Sequence, residues 1–551
     1  MIFLLALALF FAGAALAQPT IEWQKSFGGS DYDEAFSIQQ TFDGGFIVAG
    51  MSRSDDGDVS GYHGGIGGCG IMGDYWVVKL EPESSSSIEW QICLGGSSGE
   101  RAYSIQQTSD AGFIVAGVTW SSDGDVSGFH GGCGDDWVVK LDEVGSIVWQ
   151  KCLGGSDADY AFSIQQTSDG GYIVVGKTGS NDGDVSGFHG MAGSDSWVVK
   201  LDTVGSIEWQ KCLGGSLTDD AFSIQQTSDG GFIIAGSTDS NDGDVSGRHG
   251  SSEHCDYWVV KLDTVGSIVW QKCLGGYGDD WARSIQQTTD GGFIVAGSSK
   301  SNDGDVSGHH GILDYPDYWV VKLDTVGSIE WQKSLGGNHY DIASSIQQTI
   351  DGGFIVAGYS SSNDGDVSGH HGIVTHADYW VVKLDTVGSI EWQKSLGGSD
   401  WDNASSIQQT TDGGFIIAGE SKSNDGDVSG HHGSTDTTDF WIVKLSPDTW
   451  VEETAPQPSD FAISAYPNPF NSAVTISVVA IRELPLQIEV YDIAGRMVGR
   501  IPPAPLNKGG VEQSEQGVYI WQPASSIGSG VYLVRARFGD NMVAEKIVYI
   551  K

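Results

Sequence analysis

From residue 21 to residue 445 the chain repeats one pattern of apolar and polar positions, in segments too short for helices. Four segments recur in fixed order. SIQQ begins at Ser37, Ser104, Ser163, Ser223, Ser284, Ser345 and Ser406, so the period settles to about 60 residues after a longer first repeat. An apolar run follows, such as GFIVAG at Gly353–Gly358, then DYWVVKLD at Asp378–Asp385, then IEWQK at Ile390–Lys394. Each segment is short, rich in Val, Ile, Trp and Phe, and bounded by Gly, Asp or Ser, which predicts strands. GFIVAG is apolar at successive positions, so both faces of that strand should be buried. Antiparallel four-stranded sheets stacked face to face around an axis supply such burial.

The order of the segments predicts how the ends meet. SIQQ, W-[VI]-V-K-L and I-x-W-Q each occur seven times, but the first I-x-W-Q, at Ile21, precedes the first SIQQ, and none follows Leu445. The N-terminus is therefore expected to supply the fourth strand of the last sheet. That displaced strand predicts an all-β fold with a seven-bladed β-propeller over residues 18–446; an open solenoid would need terminal caps instead. The LGGS, GGFIVAG and VVKLD elements resemble secreted bacterial β-propeller repeats, a resemblance that implies fold and not chemistry.

The flanks read differently. Residues 1–17 are uncharged from Ile2 to Ala17 and end in Ala15-Leu16-Ala17, the small-x-small form of a cleaved export signal. No later segment is apolar enough to span a bilayer as a helix after that cleavage. Residues 447–460 are rich in Pro and acidic side chains, as a linker is. Residues 461–551 alternate like the strands of a small β-sandwich. They carry Tyr466-Pro467-Asn468-Pro469-Phe470-Asn471, Tyr491-Asp492-Ile493-Ala494-Gly495-Arg496 and Gly530-Val531-Tyr532. With these motifs the segment resembles the type A sorting domain of the type IX secretion system. The resemblance implies the type IX machinery as partner and delivery outside the cell or to its outer surface.

Charge narrows the partners. Formal net charge is −44 and 80 of 551 residues are Gly, so nucleic acid is not expected as a ligand; cations suit the surface better. The repeats concentrate their acids in DGDVSG loops. Asp56 and Asp58, Asp123 and Asp125, Asp182 and Asp184, Asp242 and Asp244, Asp303 and Asp305, Asp364 and Asp366, and Asp425 and Asp427 stand two apart before Ser and Gly. That spacing matches the first half of an oxygen-ligand calcium loop, because alternate carboxylates converge while Gly allows the bend. The second half is missing, with a carboxylate at the twelfth position only as Glu253, Asp314 or Asp436. The other reading is a turn in which Asp accepts backbone amides.

All 13 histidines fall in the same kinds of loop, with His63, His130, His189, His249, His310, His371 and His432 at equivalent positions. Zinc is disfavoured, since adjacent side chains such as His309 and His310 tend to point apart on an extended segment. Tyr32, Tyr160, Trp281, Tyr340 and Trp401 in the LGGS-type turns are expected either to stack on sugars or to cover the sheets. No hydrolase, metalloprotease or phosphate-loop signature is present, and near-identical copies suit a binding surface better than one catalytic centre. The Gln pairs of SIQQ are expected to line or hydrogen-bond around the axis.

Seven cysteines are an odd number for an exported protein. If Trp258 faces Trp270 across a hairpin, Cys255 faces Cys273, which predicts a bridge; the same reasoning brings Cys133 within one residue of Cys152 and, across an insertion, Cys69 toward Cys93, leaving Cys212 as the free thiol. The other reading is buried, reduced cysteines used as small apolar residues. Together these features predict an exported, non-enzymatic binding or adhesion module for a surface glycan or protein. The alternative is a secreted glycan-active enzyme or lectin-like propeller, which unique carboxylates at the mouth of the axis would betray.

Overall fold

The computed structural model describes residues 18–448 except 65–72, 83–86, 191–192, 252, 313 and 435. It also describes residues 461–551 except 467–472, 481–486, 493–495, 502–514, 525 and 539–540. The expected export signal and most of the expected linker lie outside the described residues. The chain divides into two compact units, up to Trp450 and from Val451 onward. Both are all-β, and no helix among the described residues is long and apolar enough to cross a membrane.

The first unit holds seven four-stranded antiparallel sheets, and sheet one is Asp33–Gln40, Phe46–Ser52, Asp74–Leu80 and Ile88–Leu94. Its second and third strands are buried at every position, as their unbroken apolar runs require. One face packs on the preceding sheet and the other on the following one. Ile47, Ala49, Tyr75 and Val77 of sheet one share a core with Val115, Trp137 and Val139 of sheet two. The core of sheet one's other face includes Ile416, Ala418, Phe440 and Ile442 of sheet seven. Each third strand carries one fully buried Trp, such as Trp76 or Trp441, a burial that stabilises by about 2–3 kcal/mol. Its indole N–H reaches a fourth-strand Gln, as Trp137 Nε1 does to Gln150 Oε1 at 2.8 Å.

Sheet seven is Asp402–Gln409, Phe415–Ser421, Asp439–Leu445 and the N-terminal strand Ile21–Phe27, which pairs Phe27 with Phe440. The displaced strand predicted from the repeat order is thus in place. First strands are laced to one another by side chains. Gln107 N donates to Gln39 Oε1 and Ile105 N to Ser37 Oγ, and the equivalent pairs continue to Gln40 N with Gln408 Oε1 and Ile38 N with Ser406 Oγ. This is what the SIQQ motif does. The third-strand Lys, polar in an apolar run, is also buried: Lys79 Nζ pairs with Asp43 at 2.9 Å and Glu89 at 3.1 Å.

The expected disulfide register is corrected. Strands Asp256–Leu262 and Ile268–Leu274 pair Trp258 with Cys273 and Lys261 with Trp270, three residues from the assumed register. Trp137 likewise faces Cys152 and Trp76 faces Cys93. Cys273, Cys152, Cys93 and Cys212 therefore pack beside a Trp as small apolar residues and are free thiols, as is Cys255. Neither Cys255–Cys273 nor Cys133–Cys152 is formed, and the expected Cys69–Cys93 pairing involves Cys69, which lies outside the described residues.

The second unit has a three-stranded sheet, Phe461–Tyr466, Val474–Ala480 and Glu515–Trp521, and a four-stranded one. The latter orders Met497–Ile501, Gln487–Asp492, Gly530–Phe538 and Asn541–Tyr549. One core, with Ile476 and Trp521 from the first sheet and Val490, Val534 and Ile547 from the second, joins them.

Candidate binding face

The DGDVSG loops are positioned by the Gly-Gly turn that precedes each first strand. Gly183 has φ 63°, and a Cβ there would collide with Gly154 O, so only glycine lets loop and turn touch. Asp182 Oδ1 accepts Ser156 N at 2.7 Å, Asp184 Oδ2 accepts Gly154 N at 3.4 Å, and Asp184 N donates to Gly154 O at 2.8 Å. The D-x-D spacing puts both carboxylates on amides of one turn.

All copies do the same. Asp56, Asp123, Asp242, Asp303, Asp364 and Asp425 each accept the equivalent amide at 2.7–2.8 Å. Asp58, Asp125, Asp244, Asp305, Asp366 and Asp427 accept the glycine amide at 3.2–3.4 Å. The Ser97, Ser156 and Ser216 amides hold Asp123, Asp182 and Asp242 below the usual carboxylate range. A cation at these loops would compete with those amides. Among the described residues, no three His, Cys, Asp or Glu side chains gather as a metal site.

The histidines connect the sheets. His63 donates its backbone N–H to Asp74 Oδ2 at 2.9 Å, and its Nδ1 lies 2.6 Å from the same oxygen. Its Nε2 lies 3.6 Å from Asp125 of the next sheet. The pattern repeats with His130 between Asp135 and Asp184 and continues to His432 between Asp439 and Asp58. The seven carboxylates at the start of the third strands are fully buried, and sequence reading missed them because tails of unequal length separate each from its histidine. The constant D-x-W-[VI]-V-K was the available signal. Doubled histidines converge where divergence was expected: His309 Nδ1 lies 3.6 Å and His310 Nδ1 2.9 Å from Asp317 Oδ2.

A second buried carboxylate opens each first strand. Asp341 Oδ2 accepts Gly337 N at 2.8 Å and Ser362 Oγ at 2.9 Å, while Ser360 donates to its other oxygen. Burial pushes Asp33, Glu100, Asp280, Asp341 and Asp402 up to about 7 and Asp219 to about 6. Burial also raises all seven third-strand carboxyls, whose Oδ1 atoms are buried without a hydrogen-bond partner.

The turn aromatics pack on neighbours. Tyr32 lies under Arg53, Tyr160 against Trp120 and Lys177, Trp281 under Lys300, Tyr340 against Tyr315 and Trp401 against His376. Tyr340 and Trp401 nevertheless stay 45% and 38% exposed. A cavity of about 250 Å³ is lined by the seven Ile38-type and seven Gln39-type residues. The fold also brings Glu34 of sheet one and Glu420 of sheet seven together, from first- and second-strand positions that differ from sheet to sheet. Burial and Glu420 raise Glu34, which pairs with Arg101 at 3.1 Å; burial raises Glu420, which accepts Asn403 Nδ2 at 2.9 Å.

In the second unit Tyr466 ends its strand opposite Thr475, and Pro467, Asn468, Pro469, Phe470 and Asn471 lie outside the described residues. Asp492 and Arg496 clasp their turn: Asp492 N donates to Arg496 O at 2.9 Å, and the side chains form an ion pair at 2.8 Å.

Over 201 residues, 36% of its length, the chain is 27% identical to the regulatory protein FlaEY of Caulobacter vibrioides and spans only 20% of that relative. Residues 464–551 match the family described as secretion system C-terminal sorting domain. The chain therefore carries a type IX secretion sorting domain that addresses it to that machinery, and it is exported and either secreted or attached at the outer cell surface.

Proposed function

We propose that the first unit is a seven-bladed β-propeller and that it serves outside the cell as a non-enzymatic binding or adhesion module. One observation carries the architecture: every first strand is laced to the next by Ser and Gln side chains, and the seventh is laced to the first. Around such an axis the DGDVSG loops, the LGGS turns and the histidines share one face, and loops on a rigid scaffold are where ligands bind. The ligand is a glycan or a protein of the outer surface or surroundings. Repetition of near-identical loops supports binding over a single catalytic centre. The reading is tested by applying the purified protein to washed cells and measuring retention. Competition by an excess of a fragment ending at Asp460 is expected, and failure of that fragment to compete would overturn the assignment to the first unit.

A glycan-active enzyme is the second reading, favoured by the Glu34 and Glu420 pair. Release of reducing ends from a polysaccharide panel, abolished by Glu420→Gln, would establish it over the first.

A further inference from the structure

Seven copies of one sequence inside one chain can be compared position by position, and in the first strands they diverge at the bulge and at the residue two before it. Each first strand has a bulge between its Ala and Ser, such as Ala35 and Ser37, which leaves one residue unpaired. A bulge re-aims its side chain. The unpaired residues in order are Phe36, Tyr103, Phe162, Phe222, Arg283, Ser344 and Ser405. The flanking Ala and Ser are the same in all seven copies, so the strand itself does not demand this variation.

The divergent residues form a directional arrangement. Phe36, Tyr103, Phe162 and Phe222 make a continuous arc, with successive ring centroids 5.2–5.3 Å apart and all four rings half-buried. Arg101 covers Phe36 at 5.2 Å and Arg283 lies over Phe222 at 5.9 Å, so a guanidinium stands at each end. The first unit has only four arginines, and Arg53, Arg101 and Arg283 all act here. Arg283 is exposed and has no carboxylate partner among the described residues. Where the arc would continue, Ser344 and Ser405 are small. Polar groups stand beside that gap: Tyr359, within electrostatic reach of Arg283 and Glu420, and Glu420 with Asn403.

An aromatic wall facing planar polar groups across a gap is the chemistry of sugar recognition. The C–H face of a pyranose covers aromatic surface, while carboxylate, guanidinium and amide take adjacent hydroxyls in pairs. Nucleic acid is opposed by the net charge of −44, and a purely apolar ligand would desolvate the Arg283 guanidinium and leave Asn403 Oδ1 without a partner. We propose that the gap at Ser344 and Ser405, between the aromatic arc and the Glu420 side, is a saccharide-binding site. The proposal rests on the binding-module reading and assigns its ligand class and location.

The test uses the purified protein in affinity electrophoresis through gels containing laminarin, xylan, mannan, pectin or chondroitin sulfate. Retardation by at least one polysaccharide is expected. Ser344→Phe fills the gap with the residue that sheets one, three and four carry at the same bulge, so folding should persist, with a melting temperature near that of the parent. Binding should weaken at least tenfold. Arg283→Ala removes an exposed side chain and should weaken binding several-fold, whereas Trp401→Ala, at the turn, should leave it within twofold. Retardation insensitive to both Ser344→Phe and Arg283→Ala would overturn the site. No retardation in any gel would overturn the saccharide assignment, and the binding-module reading would then stand or fall separately on cell retention.

Discussion

The DGDVSG loops and the bulged positions of the first strands are the two most conspicuous features of the repeats, and they behave in opposite ways. The loops are nearly identical in all copies, and their carboxylates are taken up by the amides of the adjoining turn. The bulged positions change from Phe to Tyr to Arg to Ser while the Ala before them and the SIQQ after them stay the same. Repetition here marks groups that hold sheets together; divergence marks groups the fold leaves available. Motifs that resemble ligand sites need that distinction, since a D-x-D loop and a binding carboxylate are alike in sequence.

The largest effect that sharpens this contrast is pH. Burial raises the first-strand carboxyls, Asp219 to about 6 and Asp33, Glu100, Asp280, Asp341 and Asp402 to about 7, so they bind protons more tightly in the folded state. Their contribution is fully present below the unfolded value and is lost as pH rises through 6–7. Each tenfold gain in proton affinity on folding is worth about 1.4 kcal/mol, so over the copies the first unit should be more stable at pH 5 than at pH 8 by several kcal/mol. Denaturation midpoints at the two pH values check this, and greater stability at pH 8 would break the account. Below about pH 4 the gain reverses, because Asp229 and Asp290, held near 2 with hydrogen bonds and Lys partners, lose their ionised form.

Asp341→Ala comes next. It strips the buried Gly337 amide and two serine hydroxyls of their acceptor, and should cost about 3 kcal/mol or more in chemical denaturation. Ser405→Ala at the divergent position should cost under about 0.5 kcal/mol, and equal costs at the two sites would erase the distinction. A smaller contrast lies within one loop. Gly183→Ala places a Cβ against Gly154 O and should cost about 2 kcal/mol, while Gly187→Ala, with φ 91° and open space around it, should cost about 1 kcal/mol.

Calcium should do less. With the loop carboxylates on amides, millimolar calcium against chelator should move the melting temperature by under about 2 °C; a shift of about 10 °C would return the loops to the ligand sites their spacing suggests. Smallest of all is the response to reductant, which should leave the melting temperature unchanged because Cys93, Cys152, Cys212, Cys255 and Cys273 are buried free thiols. Burial raises Cys212 and Cys273 to about 12, so thiol reagents should modify these two only after unfolding.

The sequence by itself determined the strand type, the count of repeats and the placement of Ile21–Phe27 in the seventh sheet, because period-two and unbroken apolar runs are local and the missing segment is a matter of order. It also marked the sorting domain, whose motifs are contiguous. Only the tertiary structure decided the rest. A three-residue difference in hairpin register, with Trp258 and Trp270 packed on different neighbours, separated cysteines that a Trp258–Trp270 pairing would have joined. His63 meets Asp74 across a tail of variable length, and Glu34 meets Glu420 from strands nearly 400 residues apart. A pattern along the chain carries periodicity and order; which carboxylate accepts an amide and which stands beside a gap depends on distances between sheets, and those exist only once the sheets are packed.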